Sequence, residues 1–397
     1  MECLRCGNKD PTYFYKGSRG YYCRKCINYK RVLLDEELEP FDYEINSNNA
    51  DYEFSYSLTD NQKQASRKCL NYLGECDVLL HCVCGAGKTE IVVESIAYYL
   101  AKGLKVCFAI SRKEVVVELS KRFEKIFYKA KVVSVYGKHH DVLYGDLIVC
   151  TCHQLYRYYK CFDLLILDEV DAYPLKGNDT LMNISLNSCA GRIIFSTATI
   201  NKDLINVLKN RNYKTVELFV RPSNAPLIIP KVIFSIKIIC LLVLIKIMNS
   251  MTNQGIIFVE SKNLCRTLYQ FLNRYYSITY VYSDLDLRNE NIKAFKEKKY
   301  QFIVSTSVLE RGVTFLDIDV VIIDFNMKMF DESSIIQMLG RVGRNINNPK
   351  GKAYILSNNL NMEIYNTMKY LKKANSYLWD VCIVISQLID ILLNLFY

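Results

Sequence analysis

His81–Thr89 reads HCVCGAGKT; it follows the apolar run Val78–Leu80 and leads into Glu90–Leu100, whose composition suits a helix. In a strand–turn–helix of this kind Gly85, Ala86 and Gly87 let backbone N–H groups close on phosphate oxygens. Lys88 reaches the outer phosphates, and Thr89 can ligate Mg²⁺. Further along, Leu164–Leu167 is an apolar strand closed by Asp168 and Glu169 in LLILDEVD. One carboxylate there can hold Mg²⁺ through water while the other polarises an attacking water. A glycine turn or an acidic strand cap can each arise by chance, but the two in this order, each in a strand context, point to a nucleoside triphosphate-driven machine.

The chain of 397 residues is 50% apolar, which gives it room for two or three cored domains and excludes general disorder. Its formal charge of +10, from 51 basic and 41 acidic residues, suits a polyanionic partner without requiring one. No charged-then-apolar leader opens the sequence, so the expected compartment is the cytoplasm, where the 16 cysteines stay mostly reduced. Val232–Met248 is strongly apolar but short, and it carries Lys237 and Lys246, so a buried strand and helix is expected rather than a membrane span. Residues 373–397 read as an apolar helix whose polar edge, with Asp380, Gln387, Asp390 and Asn394, also argues against a span.

Only four cysteines are organised. Cys3-x₂-Cys6 and Cys23-x₂-Cys26 are two knuckles with the tight thiolate spacing of a tetrahedral zinc site, and residues 1–34 are expected to form a small zinc module. Four thiolates leave no open position, so the metal is structural. Lys16, Arg19, Arg24, Lys25, Lys30 and Arg31 surround the knuckles with tyrosines between them. That pattern fits a nucleic-acid contact and a merely solvated basic surface equally well.

Residues 35–57 turn acidic and polar and read as a linker. Residues 58–225 then alternate apolar strands with helices (DVLLHCV, KVCFAI, VVSVYG, DLIVCT, LLILDE, RIIFST). A second series over 226–372 follows Pro222, Pro226 and Pro230 (GIIFVE, ITYVYS, QFIVSTS, DVVIIDF, KAYILS). The expected fold is α/β: two RecA-like lobes, each with a parallel sheet, behind the four-cysteine module, with the phosphate loop in a cleft. In QMLGRVGR, Gln337, Arg341 and Arg344 recur at spacings of four and three, which on a continuous helix places them along one face. A guanidinium from this segment can stabilise charge on a transferring phosphoryl group.

Read together, these fragments resemble a superfamily two helicase or translocase over nearly all of residues 58–358. The resemblance implies that Gln62 in LTDNQ contacts adenine. It also implies that Arg112 in AISRKE and Thr151, His153 and Gln154 in TCHQL contact a strand, as do Ser261 in IIFVES and Thr306 and Arg311 in VSTSVLERG. Ser196 and Thr199 of STAT would link phosphate state to the second lobe. Two departures stand out: Cys82 replaces the first glycine of the general phosphate loop, and Ile110–Ser111–Arg112 lacks the proline many relatives carry.

Within the superfamily the sequence is most similar to the bacterial late competence ComFA family, on the four-cysteine module, CGAGKTE, DEVDAYPL and STSVLERGVTF. That resemblance implies a cytoplasmic ATPase at the inner face of the membrane, without a transmembrane segment. It would act on single-stranded DNA during natural transformation, using ATP and Mg²⁺, beside a channel protein and a ComFC-like partner. No insertion suited to act as a wedge is evident, so translocation is expected before unwinding. RNA remodelling and a zinc-tethered ATP switch without processive movement remain open at this stage.

Overall fold

The computed structural model describes residues 1–45, 49–313, 315–325, 330–359 and 361–377; the apolar C-terminal segment from Leu378 onward lies outside them. The chain divides into two units. Unit 1 comprises Met1–Cys82 and Lys88–Leu218, and unit 2 comprises Val83–Gly87 and the chain from Phe219 onward.

Unit 1 begins with an antiparallel hairpin, β1 (Phe14–Gly17) and β2 (Gly20–Cys23), paired Phe14 to Cys23 and Tyr15 to Tyr22. Its main body is α1 (Asp60–Leu73), β3 (Asp77–Cys82), α2 (Lys88–Ala101), β4 (Val106–Ile110), α3 (Lys113–Ile126), β5 (Val132–Val135), β6 (Leu147–Thr151), β7 (Phe162–Asp168), α4 (Asp179–Asn187), β8 (Cys189–Thr197), α5 (Lys202–Leu208) and β9 (Tyr213–Leu218). The sheet is parallel throughout, in the order β5-β6-β4-β7-β8-β3-β9. Central strands β3, β4 and β6 are buried at every position, as parallel strands covered on both faces must be, and this is why they read as unbroken apolar runs. β9 is an edge strand that buries only Val216 and Leu218, so it carries no apolar run of the kind that marks the central strands.

Residues 35–57 form no strand or α-helix among those described, yet the segment is fixed to the lobe. Phe41 N–H donates to the Tyr159 carbonyl (3.0 Å) and Glu53 N–H to the Ile126 carbonyl (2.9 Å). Phe41 also packs edge-on against the buried Tyr158 ring.

Unit 2 carries β10 (Lys231–Phe234), α6 (Lys237–Asn249), β11 (Gln254–Val259), α7 (Lys262–Leu272), β12 (Ile278–Val281), α8 (Arg288–Lys296), β13 (Phe302–Ser305), β14 (Ile318–Asp324), α9 (Glu332–Leu339) and β15 (Ala353–Ser357). Its parallel sheet has the order β10-β15-β14-β11-β13-β12. The apolar stretch Val232–Met248 is a strand and a helix, but not a buried pair: β10 is an edge strand, and α6 buries Cys240, Leu244, Ile247 and Met248 while Ile238 and Leu242 stay exposed. Among the described residues no helix is long and apolar enough to cross a membrane.

Candidate nucleotide, metal and nucleic-acid sites

Sheet order in unit 1 decides which side chains meet. β8 lies between β7 and β3, and its register sets Ser196 opposite both Asp168 and Leu80. Ser196 Oγ therefore donates to Asp168 Oδ1 at 2.7 Å, and Thr199 Oγ1 donates to Asp171 Oδ2 at 2.7 Å. Lys88, the first residue of α2, places Nζ 4.0 Å from Asp168 Oδ1. Glu169 sits in the left-handed backbone region (φ 56°), with its N–H donating to Asp168 Oδ1 at 3.0 Å. Such a conformation is costly for a residue with a side chain and gathers at functional sites. Burial pushes the Asp168 carboxyl above the usual aspartate range, and the nearby Lys88 ammonium pulls against it.

Gln62 has a second, local duty. Its Oε1 accepts from Thr59 N–H (3.0 Å) while Thr59 Oγ1 accepts from Gln62 N–H (3.3 Å), a reciprocal capping box that starts α1. Beside the first turn of α2, Tyr52, Phe54, Tyr56, Leu58, Lys63 and Glu90 line a cavity of about 300 Å³. The alternating aromatics of that wall lie in the stretch that reads as a polar linker. The signal that could have found them is the i, i+2, i+4 spacing of Tyr52, Phe54 and Tyr56.

The strand-contact candidates of unit 1 follow strand ends. Arg112 occupies the N-cap position of α3, half-buried. Thr151 closes β6 and opens the short 3₁₀ turn Cys152–Arg157. Within that turn Gln154 is buried, with Oε1 accepting from Arg157 Nε at 2.7 Å, so its side chain braces the turn. His153 is half-buried and stacks on Tyr29, centroids 6.4 Å apart and planes 19° apart; burial lowers its pKa.

In unit 2 the loop Val83–Gly87 takes its turn through Gly85 and Gly87, with φ of 82° and 88°. Cys84 Sγ donates to Gln337 Oε1 at 3.0 Å. A Cβ on Gly340 would come within 2.5 Å of Cys84 Cβ, so only glycine permits this approach. Arg221, a residue with no motif around it, is buried here. Its Nε donates to the Cys84 carbonyl (3.0 Å), Nη1 to Val342 (2.7 Å) and Gly343 (3.2 Å), and Nη2 to Gly340 (3.3 Å). Desolvation, with Arg344 adding repulsion, pulls its pKa down to about 10.

Gln337, Arg341 and Arg344 do not share one helix face. α9 ends at Leu339 with Gly340 as its C-cap, so both arginines lie on the turn beyond it. Arg341 is buried and donates to the carbonyls of Glu310 (3.1 Å) and Val313; Arg344 Nε donates to the Gly340 carbonyl at 2.9 Å. Arg311 is also buried, with Nη2 donating to Ser333 Oγ at 3.0 Å. Ser261 Oγ caps α7 by accepting from Leu264 N–H, and Thr306 opens the turn Ser307–Leu309.

The four thiols of Cys3, Cys6, Cys23 and Cys26 are buried, with ligand atoms all within 4.8 Å of one another. Sγ–Sγ is 3.7 Å for Cys3 and Cys26 and 3.8 Å for Cys6 and Cys23. A tetrahedron with Zn–S bonds of about 2.3 Å has edges of about 3.8 Å, so the donor set fits zinc, while a disulfide would need about 2.05 Å. Hydrogen bonding from the Cys26 and then the Cys6 thiol lowers the Cys3 pKa.

Two families match: the helicase conserved C-terminal domain over residues 236–346, and the type III restriction enzyme res subunit over residues 55–202. The competence protein ComFA of Streptococcus pneumoniae is 32% identical, covering 94% of this chain and 90% of that protein. ComFA of Bacillus subtilis is 27% identical over 94% and 85%. Among solved structures, S. cerevisiae Dbp5 bound to RNA and ADP BeF3 superposes with a TM-score of 0.61 at 18% identity, covering 80% of this chain and 87% of that one. That likeness identifies the lobes as RecA-like. With two helicase-type domains, two RecA-like lobes and a near full-length match above 30% identity, the chain belongs to the ComFA family of competence proteins, within the helicase superfamily.

Proposed function

We propose that this helicase-type ATPase is a single-stranded DNA translocase that draws on ATP to move DNA during uptake in natural competence. The observation that carries the hydrolytic half is the Lys88–Asp168–Ser196 cluster: a cation, a metal-holding carboxylate and a hydroxyl held within hydrogen-bond or ion-pair reach at the end of a buried sheet.

In this reading Gly85, Ala86, Gly87, Lys88 and Thr89 hold the phosphates, with Thr89 and Asp168 also holding Mg²⁺, which supplies charge neutralisation when bound. Glu169 orients and deprotonates the attacking water. Its left-handed backbone, uncommon for a residue with a side chain and concentrated at functional sites, supports that role. Gln337, Arg341 and Arg344 supply donors and positive charge for the transferring phosphoryl group. Gln62 and the aromatic cavity beside Glu90 form the base end of the site.

Arg112, Thr151, His153, Gln154, Ser261, Thr306 and Arg311 belong to the strand-contacting segments. Because Gln154 and Arg311 are buried, those segments grip mainly through backbone groups and hydroxyls, so sugar and phosphate are read rather than bases. Cys3, Cys6, Cys23 and Cys26 hold structural zinc. A cytoplasmic site beside an uptake channel and a ComFC-like partner completes the proposal.

The test is ATP hydrolysis by the purified chain with no polymer, single-stranded DNA, duplex DNA or single-stranded RNA, beside Lys88→Ala and Glu169→Gln. Selective stimulation by single-stranded DNA, lost in both variants, is the expected result. Equal or greater stimulation by RNA would replace the DNA reading, and indifference to every polymer would replace the motor with a switch.

A further inference from the structure

The zinc module carries far more positive charge than its size warrants. Eight lysines and arginines stand against Glu2 and Asp10, so +6 of the chain's formal +10 resides in its first 34 residues. Four thiolates around a divalent cation offset only two of those charges. The remaining positive charge is interleaved with exposed rings: Tyr13, Tyr15 and Tyr21 are exposed, Tyr15 by 53%.

Strand pairing decides how the rings are displayed. Tyr13 and Tyr15 are two residues apart, and Tyr15 pairs across the hairpin with Tyr22, their rings edge-to-face at 5.7 Å. Tyr15 and Tyr22 therefore share one face, and Tyr13 closes the 3₁₀ turn Pro11–Tyr13 immediately before that strand. Each has a cation over it: Lys25 over Tyr13 (5.6 Å), Arg24 over Tyr15 (5.6 Å) and Arg31 over Tyr22 (4.6 Å). Aromatic rings and the cations packed with them are the two components of a sequence-tolerant single-strand platform.

The platform is fixed in place. Asn183 of α4 donates to the Cys6 carbonyl (3.0 Å), Asn187 donates to the carbonyls of Leu4 (3.1 Å) and Arg5 (3.0 Å), and Tyr29 stacks on His153 of the TCHQL turn. The hairpin and that turn are thus parts of one packed unit.

We propose that the Tyr15–Tyr22 face of the hairpin, with the adjoining exposed Tyr13, is a second binding subsite for single-stranded DNA, outside the helicase motifs, with bases on the tyrosines and phosphates on Arg24, Lys25 and Arg31. The proposal rests on the nucleic-acid reading of the motor. The experiment uses the full-length, zinc-loaded protein without nucleotide and measures binding of fluorescein-labelled dT30 across a salt series, with zinc content determined for every variant. Tyr13→Ala with Tyr15→Ala should weaken binding by about tenfold or more, and Tyr15→Phe with Tyr13→Phe should restore it, because stacking needs the ring and not the hydroxyl. Arg24→Gln with Lys25→Gln should make the salt dependence shallower by about 1.4 in log–log slope, about 0.7 for each charge removed. Variants that retain one zinc per chain yet bind dT30 with wild-type affinity and slope would overturn the subsite alone. Wild-type protein that fails to bind dT30 at all would overturn the motor reading as well.

Discussion

At the C-terminal ends of its central strands, unit 1 gathers acid: Asp168, Glu169 and Asp171, with Ser196 and Thr199 donating to two of them and Lys88 facing the first. Unit 2 gathers base: Arg221, Arg311 and Arg341 are all buried, and Arg344 is partly so. The scaffolds are alike, both all-parallel sheets, yet the charges are held differently. Asp168 and Asp171 meet side-chain partners that can neutralise or hydrogen-bond them, whereas Arg221 and Arg341 are held by backbone carbonyls, which offer only partial charge. A buried ion with partial compensation is expensive to place, and removing it strands the carbonyls that hold it. One unit thus carries a cluster of carboxylates and hydroxyls and the other a cluster of guanidiniums, each described within its own fold.

The largest effect should come from removing chemistry on either side. Glu169→Gln is expected to lower kcat for ATP hydrolysis by about 10²–10⁴-fold, and Arg344→Ala by about 10³-fold or more. KM should change little for Glu169→Gln, because the lost interaction is made only in the transition state. Steady-state hydrolysis at saturating single-stranded DNA measures both. A fall of only a few-fold in either variant would break the symmetry between the acid and base units.

Arg221 tests the basic unit structurally. Hydrogen bonds to a charged donor contribute about 1.5–3 kcal/mol each and are not additive within one group, so Arg221→Met should destabilise unit 2 by about 3 kcal/mol. Arg221→Lys should not rescue it, because an ammonium cannot span the carbonyls of Cys84, Gly340, Val342 and Gly343 as the planar guanidinium does. Urea unfolding followed by a probe in unit 2 is the measurement, since a chain of two units need not unfold in one step. An unchanged midpoint would show that the carbonyls find other donors.

These two tests separate what the sequence disclosed from what it did not. The phosphate loop, the DEVD strand and the cysteine knuckles were legible because each is local: a few adjacent residues of fixed type at the end of an apolar run. Central strands such as β4 and β6 were legible for the same physical reason, since burial on both faces leaves no polar residue to interrupt them. Edge strand β9 was not, because YKTVEL buries only alternate positions near its end. The spacing of Gln337, Arg341 and Arg344 suggested a helix face, but Gly340 ends α9 between the first and second of them. Thr59-x-x-Gln62 carries the spacing of a capping box, a local duty written in the same residues that resemble an adenine-contacting segment. Arg221 had no signal at all: a lone arginine before Pro222 becomes a site only when four distant carbonyls fold around it.

Asp168 sharpens the comparison from the acidic side. Burial raises its pKa in the native state, so between the ordinary aspartate range and that raised value the native protein holds a proton that the unfolded chain has released. Stability must therefore fall as pH rises through that window and level off above it. Asp168→Asn removes the titration while keeping a polar partner for Ser196. The variant should stabilise the nucleotide-free protein at neutral pH by about 1 kcal/mol, flatten this part of the pH profile and abolish hydrolysis. Thermal unfolding from pH 4 to 8 decides it, and a variant less stable than wild type at neutral pH would mean that Lys88 outweighs desolvation.

The smallest effect should come from charges that are not buried. Lys214 pairs with Glu75 in unit 1 and Lys262 with Asp284 in unit 2, and in both pairs the side chains are largely exposed. Water screens such pairs, and ordering two long side chains costs entropy that offsets the remaining attraction. Lys214→Ala and Lys262→Ala should each leave the melting temperature without a resolvable shift at physiological salt and should not alter hydrolysis. Should either variant destabilise its unit as much as Arg221→Met does, burial would no longer be what distinguishes the functional charges, and the contrast between the acidic and basic units would reduce to ordinary surface charge.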